Sequence, residues 1–473
     1  MKIYILNIPG PLFVVRRYMC SSFSAGYMFP PHDLLALAAV ARTLGHEVYF
    51  TDAVAEGLDE EQTKREISRI KPDLIVSLIS FELYDLDVAV VSRLKEFYPS
   101  AVYGVFGHYP THFQNETLEH SRADFIMLGE PDNVFERFLK EWKGGHLPTN
   151  HIGLVVRTSD GKVIFNEEDR RVPNPNNLPM PAYEMLKSEF YKEPFMAHPL
   201  GVIQTARGCP YKCNYCVHSF GTKLTVLTPE NVVEQILFLK KHSGIKAIRF
   251  IDDTFTAIPS RVIKICKLMI ENGVNLPWTC LSRADTLDPE MLEWMKKAGC
   301  VRLNVGMESG SQRILDLLEK GLNVEESLHN LLVARRIGLE LMGFFLTGIP
   351  GETDDDIAKS IEFAKKAFHY AVADNLIVYP GTPLFEKFGH LVDFSLVPYH
   401  NEFADPGFRA KADNNRSRFY REFYFSVNFL LRSPKKIFFQ PSHLKVMVPF
   451  VAKIAFDRKG NVQRGLMSAE PNR

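Results

Sequence analysis

Short apolar runs alternate with helix-like segments twice along this chain of 473 residues. In residues 1–145, apolar runs such as 74–79 and 102–106 are separated by stretches whose apolar residues recur at helical spacing. The alternation resumes at residue 198, and six strand-helix units follow before residue 385. Such alternation is typical of parallel sheets, because each crossover between parallel strands needs a covering helix. We therefore predict an α/β protein with two such domains.

Each part of the pattern predicts its own architecture. Residues 1–145 fit a doubly wound, Rossmann-like domain, in which ligands bind beyond the carboxyl ends of the strands. Residues 198–385 fit a partial (β/α)6 barrel of the TIM type, with its site at the C-terminal mouth. Between them, in residues 146–197, an Asp160-Gly161 pair flanked by apolar runs indicates a hairpin, and several prolines favour an extended linker. Residues 386–473 form a separate C-terminal region, which we expect to contact the substrate.

Composition and charge exclude several classes of protein. The chain has 56 basic and 56 acidic residues, so no global field attracts nucleic acid, and we expect no nucleic-acid partner. No stretch of about 18 uncharged apolar residues is present, which argues against a membrane-spanning helix. The N-terminal apolar run ends at Pro9 and Gly10 and is too short for a secretion signal. We therefore expect a cytoplasmic location.

Three cysteines lie close together directly after the first strand of the second domain. Cys209, Cys213 and Cys216 have the spacing Cys-x3-Cys-x2-Cys. Three thiolates on one tight loop can hold three irons of a cubane cluster and leave the fourth iron open, whereas a closed structural site would use four protein ligands. Two alternatives remain open, namely a structural zinc site completed by His218 and three unrelated thiols. We interpret the remaining cysteines as structural: Cys20, Cys266, Cys280 and Cys300.

The carboxyl ends of the predicted strands carry the other candidate binding residues, because ligands of parallel sheets bind at this edge. In the first domain these residues are Pro9, Gly10, Ser80, Gly107, His108, Gly129 and Glu130. In the barrel they are Asp253 in an Asp-Asp pair, Arg283, Glu308, Gly348 in a Gly-Ile-Pro-Gly turn, and Tyr379 before Pro380-Gly381.

The cysteine loop, with these strand ends after it, resembles the radical S-adenosylmethionine superfamily, and the first domain makes the chain similar to its cobalamin-binding branch. The resemblance covers residues 1 to 385. It implies three cofactors: a 4Fe-4S cluster held by the three cysteines, S-adenosylmethionine on the open iron, and cobalamin. It also implies a low-potential electron donor, a flavodoxin or a ferredoxin, because the cluster must work near the low end of the range of iron-sulfur potentials.

The resemblance also implies roles for single residues of the barrel. Asp253 would bind the ammonium group of S-adenosylmethionine, and Arg283 its carboxylate. Glu308 would bind a ribose hydroxyl or the amino acid moiety. The turns at Gly348 and Tyr379 would let the backbone approach adenine and ribose closely.

In the first domain, the loops at 107–108 and 129–130 correspond to glycine-rich strand ends of the family. The Asp-x-His-x-x-Gly motif of base-off cobalamin carriers is absent from residues 1–150, so cobalamin would bind without a histidine lower ligand. His108 and His112 are equally compatible with ordinary surface histidines.

The resemblance implies radical methylation of an unactivated carbon in a lipophilic or natural-product substrate. One molecule of S-adenosylmethionine would supply the methyl group through cobalamin, and a second would yield the 5′-deoxyadenosyl radical that abstracts a hydrogen atom. A cobalamin-dependent cyclisation or rearrangement, as in the similar porphyrin ring cyclase, is the alternative. A non-catalytic cobalamin-binding protein is a more remote one. Methylthiotransferases are set aside because they need three additional N-terminal cysteines, and only Cys20 precedes Cys209.

The C-terminal region is rich in aromatic and basic residues. One interpretation is a helix whose aromatic face packs on the barrel, and the other is a surface that approaches a membrane or a lipid-like, anionic substrate. We favour packing. The residues concerned are Arg416, Arg418, Phe419, Tyr420, Arg421, Phe423, Tyr424, Phe425, Phe429, Arg432, Lys435 and Lys436.

Overall fold

A computed structural model describes residues 1–10, 14–17, 21–23, 28–169, 174–193, 196–218, 220–396, 403–427 and 429. Cys20, Arg432, Lys435, Lys436 and residues 170–173 of the predicted linker lie outside the described residues. The chain forms two compact units. The first contains residues 1–192, 217–226 and 238–245, and the second contains residues 193–216, 227–237 and the described residues from 246 onward.

The strands are β1 (Lys2–Asn7), β2 (Val14–Arg16), β3 (Ser21–Phe23), β4 (Glu47–Asp52), β5 (Leu74–Leu78), β6 (Val102–Phe106), β7 (Phe125–Met127), β8 (Leu154–Arg157), β9 (Val163–Phe165), β10 (Leu200–Ile203), β11 (Ala206–Arg207), β12 (Thr225–Val226), β13 (Ala247–Phe250), β14 (Trp278–Ser282), β15 (Cys300–Glu308), β16 (Glu340–Thr347) and β17 (Tyr370–Asn375). The α-helices are α1 (His32–Thr43), α2 (Glu60–Ile70), α3 (Tyr84–Phe97), α4 (His108–His112), α5 (Gln114–Ser121), α6 (Pro131–Glu141), α7 (Pro229–His242), α8 (Pro259–Glu271), α9 (Pro289–Lys297), α10 (Gln312–Leu317), α11 (Val324–Ile337), α12 (Asp354–Ala367), α13 (Pro383–Phe388) and α14 (Pro406–Tyr424).

The first unit contains a seven-stranded sheet in the order β4-β1-β5-β6-β7-β8-β9. The first five strands of this order are parallel, and β8 and β9 are antiparallel additions. The chain runs from β1 to β4 and then returns to β5 on the other side of β1. The neighbouring carboxyl ends of β1 and β5 therefore mark the point where the strand order reverses, which is where ligands of doubly wound sheets bind. The predicted doubly wound fold is confirmed.

The hairpin predicted around Asp160-Gly161 is β8 and β9, which pair in antiparallel register. Gly161 has φ +84, a left-handed conformation that suits glycine at a tight turn. Because β8 also pairs with β7, the hairpin extends the sheet of the first unit.

The second unit contains six parallel strands in the order β10-β13-β14-β15-β16-β17. Helices α8, α9, α11 and α12 alternate with these strands along the chain. Helix α12 starts with a capping box, in which Thr353 and Asp356 each accept from the other's backbone N–H. The predicted partial barrel with six strands is confirmed, and its strand order leaves β10 and β17 as edges.

Helix α14 covers the edge strand β17. The hydroxyl of Tyr420 accepts from the Ala373 amide at 3.1 Å, and the hydroxyl of Tyr424 donates to the Ala371 carbonyl at 2.8 Å. These bonds satisfy backbone groups that an edge strand would otherwise expose. Phe419 and Phe423 of the same helix are buried. In the described part of the C-terminal region, the aromatic face therefore packs on the barrel, as the favoured interpretation predicts.

No helix in the described part of the chain is long and apolar enough to cross a membrane.

Candidate functional site

The cysteine loop follows β11 at the carboxyl end of the first barrel strand. Gly208 has φ +80, which lets the chain turn sharply just before Cys209. The three thiols are free of disulfides; Cys213 is 6% exposed, and Cys209 and Cys216 are half-buried. Burial raises the pKa of the Cys209 thiol.

Asp252 holds the segment that leads into this loop. One carboxylate oxygen accepts from the backbone amides of Thr205 and Ala206, at 2.5 and 3.0 Å, and the other accepts from the Thr205 hydroxyl. Arg261 donates to the Thr205 carbonyl at 2.9 Å. Burial raises the pKa of Asp252 to about 6, against these hydrogen bonds. The sequence-based prediction named Asp253 and missed Asp252, for which the Asp-Asp pair was the only signal.

Asp253 and Thr254 lie beside the first cysteine. The hydroxyl of Thr254 is 3.7 Å from the Sγ atom of Cys209. The charge of Asp253 adds to burial in raising the pKa of Cys209, which requires the carboxylate to be near the thiol. The role predicted for Asp253, binding the ammonium group of S-adenosylmethionine, stays a prediction.

Arg283 follows β14 and is 4% exposed. Its Nε and Nη2 atoms donate to Asp285, both at 3.0 Å, and Nη2 also donates to the Lys320 carbonyl at 2.8 Å. The Nη1 atom donates to the Sγ atom of Cys213 at 3.6 Å. The Cζ atom of the guanidinium lies 3.6 Å from the centre of the Tyr211 ring, in cation–π contact. Arg283 therefore contacts the cysteine loop at Tyr211 and Cys213, and its other N–H groups bind Asp285 and the Lys320 carbonyl.

Glu308 lies at the carboxyl end of β15, in the left-handed conformation with φ +64. The Lys320 ammonium donates to Glu308 at 2.9 Å and to the Tyr215 hydroxyl at 3.0 Å. Burial raises the pKa of Tyr215 well above its usual value, with a further contribution from the Glu308 charge. Because Tyr215 lies between the second and third cysteines, this group joins the end of β15 to the cysteine loop.

Asn214 anchors the middle of the loop. Its side-chain amide donates to the Leu317 carbonyl at 2.8 Å, and its backbone amide donates to the Leu318 carbonyl at 3.2 Å. Its own carbonyl accepts from the Leu384 amide at 2.9 Å. The loop is thus tied to segments that follow β15 and β17. No sequence signal singled out Asn214.

Gly348 follows β16 and has φ +70. A Cβ atom at this position would lie 2.7 Å from the Cβ atom of Ala412, so the glycine lets α14 approach closely. Its amide donates to Glu352 at 3.0 Å, and Asn415 donates to the same carboxylate at 3.4 Å. Burial raises the pKa of Glu352 to about 7. Tyr379 is half-buried, and its carbonyl accepts from the Thr382 hydroxyl that caps α13.

In the first unit, the loops after β1 and β5 are joined by a buried ion pair that the sequence did not reveal. Arg16 of β2 donates to Asp87 at 2.9 Å and to the Ile8 carbonyl, also at 2.9 Å. Asp87 in turn accepts from the backbone and the hydroxyl of Ser80, at 2.9 and 2.8 Å. Pro9 is buried beside this group. The backbone amide and the hydroxyl of Ser80 therefore both donate to Asp87.

The other predicted residues of this unit lie at the ends of β6 and β7. A Cβ atom on Gly107 would lie 2.1 Å from the Ile79 carbonyl oxygen, so only glycine fits there. His108 is buried, with its ring 4.6 Å from that of the exposed His112. Gly129 has φ +66, and Glu130 is buried. The structure thus brings all these residues to the carboxyl edge of one sheet, where their predicted contact with cobalamin stays a prediction.

Within the described residues, no group of three or more His, Cys, Asp or Glu side chains is arranged to hold a single metal ion.

The chain is similar in sequence to several known proteins. The sequence profile of the Radical SAM superfamily matches residues 203–364. An uncharacterized methyltransferase of Pyrococcus horikoshii is 31% identical over 392 residues, which cover 82% of this chain and 83% of that protein. Cytidylyl-2-hydroxyethylphosphonate methyltransferase of Streptomyces wedmorensis is 26% identical over 425 residues, 77% of each chain.

Two more distant matches are a sequence relative and a solved structure. Anaerobic magnesium-protoporphyrin IX monomethyl ester cyclase of Rubrivivax gelatinosus is 23% identical over 363 residues, 75% of this chain and 65% of that protein. The solved structure of the cobalamin-dependent S-adenosylmethionine radical enzyme OxsB, with aqua-cobalamin and S-adenosylmethionine bound, matches with a TM-score of 0.72. It is 16% identical and covers 98% of this chain and 74% of that chain. The solved cobalamin-dependent enzyme therefore shares the fold of this chain, and the chain itself belongs to the radical S-adenosylmethionine superfamily.

Proposed function

We propose that this protein is a cobalamin-dependent radical S-adenosylmethionine methyltransferase that methylates an unactivated carbon of a small molecule. The observation that carries the proposal is the cysteine loop itself. Three thiols that form no disulfide lie on one loop at the carboxyl end of the first barrel strand, in a chain that also has a doubly wound unit. The relative with 31% identity bears the name of a methyltransferase, which supports methyl transfer over other radical reactions.

The donor set of the loop fits a 4Fe-4S cluster held by Cys209, Cys213 and Cys216. Thiolates are the ligands that iron-sulfur clusters prefer, and three of them leave one iron free for S-adenosylmethionine. A guanidinium N–H already points at the Sγ atom of Cys213, as a bound thiolate would require. When bound, the cluster supplies the electron that breaks the bond between sulfur and C5′, and cobalamin carries the methyl group.

The residues of the second unit position this chemistry. Asp252 fixes the segment before the loop, and Asn214 fixes its middle. Asp253 and Glu308, at the mouth of the barrel, have the carboxylates to bind the ammonium and ribose hydroxyls of S-adenosylmethionine. A half-buried loop at a barrel mouth also limits the access of water to the radical, which prevents side reactions.

For cobalamin, we propose the carboxyl edge of the sheet in the first unit. The likeness to OxsB in fold supports this site, because that enzyme was solved with aqua-cobalamin bound. The chain-specific candidates are Pro9, Ser80, Gly107, His108, Gly129 and Glu130.

The partners follow from the chemistry. Radical S-adenosylmethionine enzymes need a reductant and act on small molecules. We propose a flavodoxin or a ferredoxin as the reductant and the cytoplasm as the location, since both the thiols and the cluster require reducing conditions. A lipophilic or natural-product substrate, and peripheral contact of the C-terminal region with a membrane, remain predictions.

The test is anaerobic turnover of reconstituted protein with S-adenosylmethionine, cobalamin, a low-potential reductant and a panel of candidate substrates. We expect 5′-deoxyadenosine and S-adenosylhomocysteine to form together. The triple variant Cys209→Ala, Cys213→Ala, Cys216→Ala should lose the 5′-deoxyadenosine. The matched control is Cys266→Ala, which removes a buried cysteine of α8 and should keep both products.

The products also separate the alternatives. If 5′-deoxyadenosine appears without S-adenosylhomocysteine, cyclisation or rearrangement replaces methyl transfer, as the similarity to the cyclase allows. Cobalamin binding without either product, in protein with an intact cluster, would favour a non-catalytic cobalamin-binding protein and contradict the proposal.

A further inference from the structure

Arg283 makes more contacts with the cysteine loop than its predicted role requires. A residue that binds the carboxylate of S-adenosylmethionine would direct its paired N–H groups toward the ligand. Here the Nε and Nη2 atoms are directed at Asp285 and at the Lys320 carbonyl. The side chain is 4% exposed, so these bonds are made in a dry environment.

The remaining nitrogen of the guanidinium faces a cluster ligand. The Nη1 atom lies 3.6 Å from the Sγ atom of Cys213, within the range of a hydrogen bond to sulfur. The Cζ atom of Arg283 also lies 3.6 Å from the centre of the Tyr211 ring. Tyr211 lies between the first and second cysteines, so Arg283 contacts the loop at two points on either side of residue 212.

Three groups fix the orientation of this guanidinium. Asp285 binds it in bidentate fashion, the Lys320 carbonyl accepts from one end, and the Tyr211 ring packs against it. The anion of this set is on the far side from the sulfur, and the Asp285 side chain is partly exposed to solvent. The positive charge is therefore nearer to Cys213 than its counter-charge is.

We propose that Arg283 is a positioning residue that raises the reduction potential of the cluster by donating a charge-assisted hydrogen bond to the Cys213 thiolate. The proposal rests on the proposed function, because it requires a cluster on these cysteines. Reduction adds one electron from an external donor to the cluster, whose negative charge then increases. A cation and a hydrogen bond at a ligand sulfur stabilise the more negative state, so they make reduction easier.

The experiment is a potentiometric titration of reconstituted full-length protein with titanium(III) citrate, followed by low-temperature EPR of the reduced cluster. Arg283→Met removes both the charge and the donor. We expect the equilibrium constant for one-electron reduction to fall about tenfold, which lowers the midpoint potential by about 59 mV. Iron and sulfide content, measured on the same samples, should remain at the wild-type level.

A second variant tests the sign of the effect. Asp285→Asn keeps an acceptor for the Nε atom of Arg283 and removes the counter-charge, so the midpoint potential should rise. A purely structural role would not move the two variants in opposite directions. The matched control is Lys267→Met, which removes a cation that lies 4.8 Å above the Trp294 ring on the outer helices and should leave the potential unchanged.

Each outcome decides the proposal. Opposite shifts in Arg283→Met and Asp285→Asn support it, and unshifted potentials at full iron content overturn it. If Arg283→Met does not retain a cluster, Asp285→Asn decides alone: a raised potential supports the proposal and an unchanged one overturns it. Wild-type protein without a cluster signal would overturn the proposed function as well, whereas a normal signal with unshifted potentials would overturn only the role of Arg283.

Discussion

The carboxylate of Asp252 accepts both the backbone amide and the hydroxyl of Thr205, and so joins the end of β13 to the segment that leads into the cysteine loop. Because this carboxylate is fully buried, its hydrogen bonds are not exchanged with water. The position of the loop therefore depends on Asp252, although none of the contacts described for Asp252 involves the three cysteines.

Two replacements of Asp252 should separate the contribution of its charge to protein stability from the contribution of its hydrogen bonds. In Asp252→Asn, the amide oxygen can accept the two backbone N–H groups while the amide N–H donates to the Thr205 hydroxyl, so stability should remain near the wild type. Asp252→Leu leaves three buried donors without their acceptor and should cost at least about 3 kcal/mol, which lowers the unfolding temperature by at least roughly 6 °C. Differential scanning calorimetry checks this; equal losses in both variants would contradict it.

Glu352 should make stability depend on pH near neutrality. Burial raises its folded-state pKa from 4.5 to about 7, so the protonated form is favoured in the folded protein. The resulting contribution to stability is fully present below pH 4.5 and is lost as the pH rises through about 7. Glu352→Gln should remove this contribution. The difference in unfolding temperature between variant and wild type should therefore increase in favour of the variant from pH 5 to pH 8.

Lys320 and Glu308 should behave as a coupled pair. Both side chains are at most 10% exposed, and Lys320→Met leaves the Glu308 charge buried without its cation. We expect a loss of about 3–5 kcal/mol for this variant. The double variant Lys320→Met, Glu308→Gln should recover most of the loss, because it buries no unpaired charge. A double-mutant cycle measured by thermal unfolding provides the coupling energy, and simple additivity would show that the pair does not interact.

Tyr424 should slow the amide hydrogen exchange of β17, the strand at the edge of the barrel. Tyr424→Phe leaves the buried Ala371 carbonyl without the hydroxyl that donates to it, at a cost of about 1–3 kcal/mol. Amide hydrogen exchange of β17 should become faster in this variant. Phe425→Ala is the matched control, because Phe425 is 57% exposed at the end of the same helix and should leave the exchange unchanged. Unaltered exchange in Tyr424→Phe would mean that α14 does not secure this edge.

The fold class could be predicted because it depends on local patterns. Alternating apolar runs and amphipathic segments define parallel sheets wherever they occur, and both predicted sheets are present. The prediction for the C-terminal region was right in its described part for a similar reason. Aromatic residues at helical spacing, such as Phe419 and Phe423, form a face that must be buried.

The contacts of single polar residues could not be predicted in this way. The role predicted for Arg283, binding the carboxylate of S-adenosylmethionine, stays a prediction, and its contacts with Asp285, the Lys320 carbonyl and Cys213 had no signal in the sequence. Arg16 and Asp87, which form a buried pair 71 residues apart, had no signal at all. Such pairs depend on which strand ends become neighbours, and strand order is decided by the packing of the whole sheet.

The sequence by itself determined the chemistry that the protein can support, because three cysteines within eight residues can bind a cluster regardless of the fold around them. It also determined the two α/β halves, because hydrophobic periodicity is a local property. Only the tertiary structure decided which groups surround the cysteines: Asp252, Arg283 and Lys320 reach the loop from segments that follow three different strands. The physical reason is that hydrogen bonds and ion pairs act over a few ångströms, and the distances between these residues exist only in the folded chain.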